Sequence, residues 1–308
     1  MEKVSVSIPG GNGRMGRTLL RLILESENHS IGNATCLPEE DEVGLDIGNL
    51  VGKGKISKEL RSDPTCLFEN SDVLIDFTVP EATMFHAKKC YEKNMPIVIG
   101  TTGLDNKQEE ELLKLSKKIP IVYSANFSIG VTLLSSLVAE ATKSLGKEWD
   151  IEILEMHHKH KIDAPSGTAL MLGKSAAEAR GEDLSSVKAV SRDGIVGKRS
   201  SGEIGFAVLR GGDVVGEHTV SFSNTAERLE LTHRATDRSI FGAGALRASL
   251  WAVKAKPGLY TLLEAAGAAT RRPKCSQGTE RGRAPNVTHS AVWRTRVSET
   301  IQITIYFE

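Results

Sequence analysis

Short apolar segments alternate with segments of helical periodicity over the first 128 residues of the chain. The apolar segments, which predict β-strands, cover about 4–8, 31–37, 73–77, 96–99 and 119–123. Between them, apolar residues recur at helical spacing over about 15–26, 82–93 and 104–118. Strands that alternate with helices form a parallel sheet with crossover helices, so we predict an α/β domain over 1–128.

The pattern changes after residue 128. Helices are predicted over about 130–145 and after Ser166, and strands over about 150–155, 204–209, 217–222 and 228–233. Three strands in near succession indicate a mixed or antiparallel sheet, so we predict a smaller α+β domain over 129–238. The next helix, over about 241–254, is expected to pack back against the first domain, which about 239–266 would complete.

The segment from about 267 to 308 has no clear periodicity. Between Ala268 and Ser298 seven residues are Lys or Arg, and the only acidic residue is Glu280. Such a segment buries too little apolar surface to offset the entropy of ordering, about 1–2 kcal/mol per residue for the backbone. We therefore expect a disordered or non-native extension. A basic arm that binds an anionic partner is the alternative.

Composition excludes several classes of function. Hydrophobic residues make up 40% and charged residues 25% of the chain, which is typical of a globular protein. Lys plus Arg and Asp plus Glu both number 39, so binding to nucleic acid or to a membrane surface by net charge is disfavoured. No apolar run approaches the ~20 residues that span a bilayer, and the start of the chain has no signal-peptide pattern, so we expect a cytoplasmic protein.

The four cysteines are too widely spaced for a disulfide framework or a zinc ribbon. They are Cys36, Cys66, Cys90 and Cys275. Reduced thiols, most of them packing residues, are the expected state in the cytoplasm.

A glycine-rich turn joins the first predicted strand to the first helix. Glycines let the backbone approach a pyrophosphate, and the start of the helix supplies free N–H groups and positive potential. Any βα turn can carry glycines, but this context favours a dinucleotide site and hence a Rossmann-type domain. The candidate cofactor-binding residues are Gly10, Gly11, Asn12, Gly13, Arg14 and Met15.

Two further strand ends carry small and polar residues. In parallel sheets ligands bind at the carboxyl ends of the strands, and small residues there leave room for a flat ring. Ordinary turns have a similar composition. Because three such ends belong to one predicted sheet, we assign them to one cofactor crevice, and these residues are Gly100, Thr101, Thr102, Ser124, Ala125, Asn126 and Phe127.

The densest chemical signal is a basic segment that precedes the helix after Ser166. Three of the eight histidines lie at 157, 158 and 160, and Lys159 and Lys161 accompany them. Ser166 can cap the helix, whose first amides belong to Gly167 and Thr168. Cations beside a helix N-terminus favour a carboxylate or phosphate site. A zinc site, which the lysines disfavour, and a solvated basic loop are the alternatives.

These motifs resemble the dihydrodipicolinate reductase family over about residues 3–262. The central motif is Glu155-x-His157-His158-x-x-Lys161-x-Asp163-Ala164-Pro165-Ser166-Gly167-Thr168-Ala169. The flanking motifs are Gly10-x-x-Gly13-Arg14-Met15-Gly16, 76–82, 100–103, 125–128, 210–218, 230–233 and 256–260.

The resemblance implies a homotetrameric enzyme of lysine and diaminopimelate biosynthesis that uses NADH or NADPH. It would reduce 4-hydroxy-tetrahydrodipicolinate, a cyclic dicarboxylate, to tetrahydrodipicolinate with loss of water. The resemblance implies that His157 is the proton donor and that Lys161 assists in catalysis. It further implies that His158, Lys161, Gly167 and Thr168 hold a substrate carboxylate, and it implies no metal.

The sequence departs from the family at three places. Pro9 precedes the glycine-rich turn, and Cys36 and Leu37 stand where relatives often carry an acidic ribose ligand and an arginine, so the choice between NADH and NADPH cannot be predicted. The chain also continues beyond the family's usual end. The alternative functions are another Rossmann reductase that acts on a dicarboxylate and a cofactor-binding regulatory protein without turnover.

Overall fold

A computed structural model describes residues 2–190 and 192–267 of the chain. The expectation of a disordered tail after about 267 therefore falls outside the described residues. Within them, no helix is long and apolar enough to cross a membrane.

The first layer is a six-stranded sheet in which every pair of neighbouring strands is parallel, as the alternating pattern predicts. Its strands are β1 (Val4–Ile8), β2 (His29–Ala34), β3 (Val73–Asp76), β4 (Ile97–Ile99), β5 (Pro120–Tyr123) and β11 (Gly258–Tyr260), and their spatial order is β11-β5-β4-β3-β1-β2. The central strand β3 is buried along its whole length, so its four residues are apolar except for the last, Asp76.

The helices of the described chain are α1 (Arg14–Glu25), α2 (Ile47–Leu50), α3 (Pro80–Lys93), α4 (Asn106–Leu115), α5 (Ile129–Leu145), α6 (Gly167–Ala179), α7 (Leu184–Val187), α8 (Ser239–Ala252) and α9 (Leu262–Ala265). A 3-10 helix covers Pro64–Phe68. Helix α4 begins two residues after the predicted start at residue 104. The reason is local capping, because Asp105 and Gln108 form a capping box that fixes the start of the helix.

The second sheet is mixed, as predicted, with the order β10-β9-β6-β8-β7. Its strands are β6 (Asp150–His157), β7 (Lys188–Ala189), β8 (Ile204–Arg210), β9 (Gly216–Ser223) and β10 (Arg228–Ala235). Strand β6 runs parallel to β8 and antiparallel to β9. Apolar residues of α5 and α6 join those of β6, β8 and β9 in one core.

Strand β6 is longer than the pattern predicts. The predicted end was residue 155, but pairing with β8 continues to His157, which is opposite Arg210. Strand β2 is shorter than predicted. The Thr35 amide still donates to the carbonyl of Ile8 in β1, but the next amide, that of Cys36, donates to the carbonyl of Arg61 instead.

The last two described elements return to the first sheet. Helix α8 packs against α1 and shares its core. Helix α8 also lies close to the turn after β5, because a Cβ at Gly244 would lie 1.9 Å from the carbonyl oxygen of Phe127. Strand β11, which the pattern did not predict, then extends the sheet beside β5.

Candidate active site

The glycine-rich turn after β1 borders a cavity of about 200 Å³. Gly10 has a φ of +65°, which favours glycine. The amides of Arg14, Met15 and Gly16 have no hydrogen-bond partner among the described residues, as expected for the first turn of a helix. The cavity is lined by Ile8, Pro9, Gly10, Gly13, Arg14, Met15, Gly16, Leu19 and Phe77.

Two glycines of the turn allow close backbone packing. A Cβ at Gly16 would lie 2.1 Å from the carbonyl oxygen of Gly10, so α1 can start against the turn only with glycine there. Gly11 is buried beside Ala34, and its amide donates to the carbonyl of Thr35. Gly11 therefore fixes the turn to the end of β2, whereas Gly10 and Gly13 border the cavity.

The other two predicted strand ends lie beside this cavity. Gly100 leaves room for the Phe77 ring, which a Cβ at position 100 would meet at 2.2 Å. Phe127 is buried and packs edge to face on Phe77, with 5.4 Å between the ring centroids. The hydroxyl of Thr101 is buried in a network under the cavity, whereas Thr102 is exposed.

The turn after β5 is fixed by its own side chains. The Ser124 hydroxyl donates to the carbonyl of Asn126 at 2.7 Å, and Ala125 is exposed at the tip. The Asn126 side chain continues across to α6, where its amide donates to the Thr168 hydroxyl at 3.1 Å.

These features fit a dinucleotide cofactor. A cradle of glycines, three amides without partners at a helix start and an aromatic wall at Phe77 provide the contacts that a pyrophosphate and a flat ring require.

The second cluster lies at the carboxyl end of β6 around the carboxylate of Glu155, which is 1% exposed. Its Oε2 lies 2.6 Å from His157 Nδ1 and 2.8 Å from Arg210 Nη1. Its Oε1 accepts from Arg210 Nη2 at 3.1 Å and from the amide of Ser166 at 3.0 Å. Burial alone would raise the pKa of Glu155, but the hydrogen bonds from Arg210 and His157 hold it below its usual value.

His218 lies behind His157. The two rings meet edge to face with centroids 5.1 Å apart, and His218 Nε2 lies 3.0 Å from the Ser166 hydroxyl. Burial, assisted by the neighbouring His157, lowers the pKa of His218 to about 4. His218 is therefore neutral near pH 7. On the other side, Gly216 leaves space for His157, because a Cβ there would lie 3.0 Å from His157 Nε2.

Cations surround the same end of β6. His158 Nε2 lies 3.3 Å from Arg238 Nη2, and burial followed by the charge of Arg238 lowers the pKa of His158. Lys161 is paired with Asp163, with Nζ 2.7 and 2.9 Å from its two carboxylate oxygens. The structure thus places His157, His158 and Lys161 together, as predicted from the sequence.

The start of α6 adds two hydrogen-bond donors. The Ser166 hydroxyl caps the helix and accepts from the amide of Ala169, as predicted. The amides of Gly167 and Thr168 have no partner in the part of the chain that the structure describes. These two amides are suited to bind an anion, because a helix start carries partial positive charge.

Four residues of this cluster received no role from the sequence: Glu155, Arg210, His218 and Arg238. The contact between Glu155 and His157 could have been predicted from the sequence, since residues 155 and 157 of a strand lie on the same face. The other three come from distant strands or from the start of α8, so their positions depend on tertiary structure. The described residues contain no group of three or more His, Cys, Asp or Glu arranged to hold a metal ion.

Comparison with protein-family models matches nearly all of the described chain. The model for "Dihydrodipicolinate reductase, N-terminus" matches residues 4–127, and that for "Dihydrodipicolinate reductase, C-terminus" matches residues 130–265.

Several curated relatives carry the name 4-hydroxy-tetrahydrodipicolinate reductase. The one from Parvibaculum lavamentivorans is 46% identical over 265 residues, which cover 86% of this chain and 98% of the relative. The one from Halorhodospira halophila is 43% identical over 264 residues, covering 86% and 99%. The one from Rhizobium rhizogenes is 44% identical over 271 residues, covering 88% and 99%.

Solved structures share the fold. A dipicolinate-bound dihydrodipicolinate reductase from Paenisporosarcina sp. TG-14 has a TM-score of 0.69 at 23% identity and covers 85% of this chain and 99% of its own. An amine dehydrogenase from Mycobacterium smegmatis has a TM-score of 0.56 at 11% identity, covering 84% and 95%.

Proposed function

Because the chain belongs to the dihydrodipicolinate reductase family, we propose that it reduces 4-hydroxy-tetrahydrodipicolinate to tetrahydrodipicolinate, with loss of water, at the expense of NADH or NADPH. The observation that carries this proposal is the hydrogen bond from Asn126 to Thr168. It joins a strand end of the cofactor sheet to the helix start at the anion site, so the two clusters border one crevice.

The domains built on the two sheets have different roles in this proposal. Residues 1–128, completed by about 239–266, hold the cofactor, and residues 129–238 hold the substrate and support assembly. When bound, the nicotinamide cofactor supplies the hydride. Gly10, Gly13 and the first-turn amides of α1 hold its phosphates, and Phe77 and the strand ends at Thr101 and Asn126 border its ring.

His157 is the proton donor in this proposal. Glu155 accepts a hydrogen bond at Nδ1 of the imidazole, which fixes the orientation of the ring and leaves Nε2 as the atom that gives up a proton. Gly216 provides the space in front of Nε2. Arg210 helps to hold the pKa of Glu155 below its usual value, so the partner of Nδ1 is an ionised carboxylate.

The substrate carboxylates are bound by fixed donors and cations. The amides of Gly167 and Thr168 hold one carboxylate at the start of α6. Lys161 and Arg238 supply positive charge around it, and His158, whose pKa is lowered, contributes a neutral imidazole beside Arg238. In the structure Lys161 is ion-paired with Asp163. A substrate carboxylate therefore replaces the Asp163 carboxylate as the partner of Lys161. Lys161 also assists proton transfer.

The test is to mix the purified protein with the hydroxy-tetrahydrodipicolinate formed by aldol condensation and with NADH or NADPH, and to follow nicotinamide absorbance. We expect oxidation of the cofactor only when substrate is present. Cofactor binding without turnover would instead favour a regulatory protein. Oxidation with an unrelated dicarboxylate but not with this substrate would favour another reductase.

We further propose a homotetramer assembled through the mixed sheet. The face of this sheet opposite α5 and α6 carries Leu154 and Leu209, which are 42% and 48% exposed. Leu154 pairs with Ala207 and Met156 with Leu209 across the two strands, so these four residues form an apolar patch on this face, which is typical of a subunit interface. Leu154→Lys should dissociate the assembly, as measured by light scattering.

The proposed role is cytoplasmic lysine and diaminopimelate biosynthesis.

A further inference from the structure

A buried polar network lies behind the cofactor cavity, at the carboxyl end of β3. Asp76 is 0% exposed and is the last residue of that strand. Its Oδ2 lies 2.8 Å from Nδ1 of His86, a residue of α3 whose side chain is 7% exposed. A carboxylate this deeply buried is costly to desolvate and needs several donors to compensate.

The other oxygen of Asp76 organises the turn that follows β3. Its Oδ1 accepts from the amide of Thr78 at 2.8 Å and from the Thr78 hydroxyl at 2.6 Å. Two bonds from one residue set the backbone course over 76–78 and therefore the position of Phe77, which lines the cavity. Thr78 also contacts the glycine-rich turn, since its Cγ2 would lie 3.4 Å from a Cβ at Gly10.

The same carboxylate reaches the neighbouring strand end. The Thr101 hydroxyl lies 3.5 Å from Asp76 Oδ1 and accepts from the Thr83 hydroxyl at 2.7 Å. The amide of Gly100 donates to the backbone carbonyl of Asp76 at 2.8 Å. Asp76 therefore connects the ends of β3 and β4 and, through Thr78, the turn after β1.

We propose that the Asp76–His86 pair is a positioning device for the cofactor site, which holds Phe77, Thr78 and Thr101 in the arrangement that binds the nicotinamide half of NADH or NADPH. Phe77 lines the cavity, whereas Asp76 and His86 do not, so this pair acts through Phe77 and through the hydrogen bonds that Asp76 accepts from Thr78 and Thr101. The inference rests on the proposed function only in that both use the same cofactor site.

Three variants test the hydrogen bond from His86. Phe at position 86 preserves an aromatic ring beside Phe85 and Phe68 but leaves Asp76 Oδ2 without its donor. Asn at position 86 places an amide near the position of Nδ1 and restores a donor. The matched control is His29→Phe, because His29 is also buried in this layer and hydrogen-bonded through its ring, but it lies at the opposite, amino end of β2.

The readouts are the dissociation constants of NADH and NADPH, measured by fluorescence titration without substrate, and the melting temperature. We expect His86→Phe to weaken cofactor binding about five- to tenfold and to raise the KM for cofactor more than it lowers kcat. His86→Asn should stay within about twofold of wild type, since the donor is restored. His29→Phe should lower the melting temperature and leave both dissociation constants unchanged.

Unchanged cofactor binding in His86→Phe, equal weakening in His29→Phe, or failure of Asn to restore binding would each overturn the proposal. If His86→Phe does not fold, Thr83→Val serves instead, because it removes only the hydroxyl that donates to Thr101. It should weaken cofactor binding, and wild-type affinity would overturn the proposal. Normal cofactor binding by the wild-type protein without turnover would contradict the proposed function and leave this inference intact.

Discussion

The chemistry of the site depends on a single buried carboxylate. Glu155 is held by Arg210, by the Ser166 amide and by His157, and these partners outweigh the effect of burial on its pKa. An ionised carboxylate next to an imidazole fixes its tautomer and orientation. The proposed proton donor, His157, lies on the strand that carries Glu155, two residues along, which places its Nδ1 within hydrogen-bond distance of this carboxylate.

His157→Gln tests the proton donor. We expect kcat to fall by at least about tenfold with a smaller change in KM, because a proton donor acts in the transition state. Steady-state kinetics provides the measurement, and His160→Gln is the control, because His160 lies three residues further along in the exposed turn after β6. Equal kinetics in both variants would contradict the assignment.

Lys161→Ala tests the cation at the substrate carboxylate. The KM for substrate should rise at least about tenfold, since a charge-assisted contact is lost, and kcat should fall if Lys161 also assists proton transfer. Lys159→Ala removes an exposed lysine two residues away and should leave KM unchanged. The assignment is wrong if Lys161→Ala retains wild-type kinetics.

His218 makes stability depend on pH. Its pKa is about 4 in the folded protein, below the ordinary value of 6.5, so between these values the unfolded chain binds a proton that the folded chain does not. The contribution of His218 is therefore complete above pH 6.5 and is lost as pH falls towards 4, with a slope of up to about 1.4 kcal/mol per pH unit. His218→Gln should reduce this slope in urea unfolding between pH 7 and about pH 5. An unchanged slope would show that His218 titrates alike in both states.

At the scale of elements, the start of α1 depends on contact between two backbones. A Cβ at Gly16 would lie 2.1 Å from the Gly10 carbonyl and 2.7 Å from Gly11 Cα, and neither backbone group can move aside like a side chain. Gly16→Ala should displace the helix from the turn. We expect an NADH dissociation constant at least about tenfold higher and destabilisation by about 1–3 kcal/mol.

The control for this prediction is Gly242→Ala on the facing helix α8. Its Cβ would meet the end of the Leu22 side chain at 2.6 Å, which can rotate away. This variant should bind NADH as wild type does in the same fluorescence titration. If both variants bound NADH equally well, close approach at Gly16 would not be what shapes the cofactor site.

At the scale of the whole molecule, the family resemblance covers the described chain. The two family models match residues 4–127 and 130–265, and the curated relatives are matched over 98–99% of their own length. We predict that a chain ending at Gly267 retains the kcat/KM, the melting temperature and the number of subunits per assembly of the full chain. Loss of activity or of assembly in the shortened chain would show that residues after 267 contribute.

Many features of this structure follow from residues that are close to one another in the sequence, so the sequence alone determined them. Apolar periodicity predicted both sheets, and the cap at Ser166 and the glycine-rich turn follow from residues within a few positions of each other. The same locality placed His157, His158 and Lys161 in one cluster. All of these features need only the geometry of a strand, a helix or a turn.

Only the tertiary structure decided what surrounds the reacting groups. Arg210 reaches Glu155 over 55 residues, His218 reaches Ser166 over 52, and Asn126 reaches Thr168 over 42. Each pair depends on strand register or on helix placement, which a hydrophobic pattern leaves open because many registers bury the same apolar face. The extension of β6 to His157 and the addition of β11 to the first sheet have the same origin, since partner strands distant in the sequence fix both.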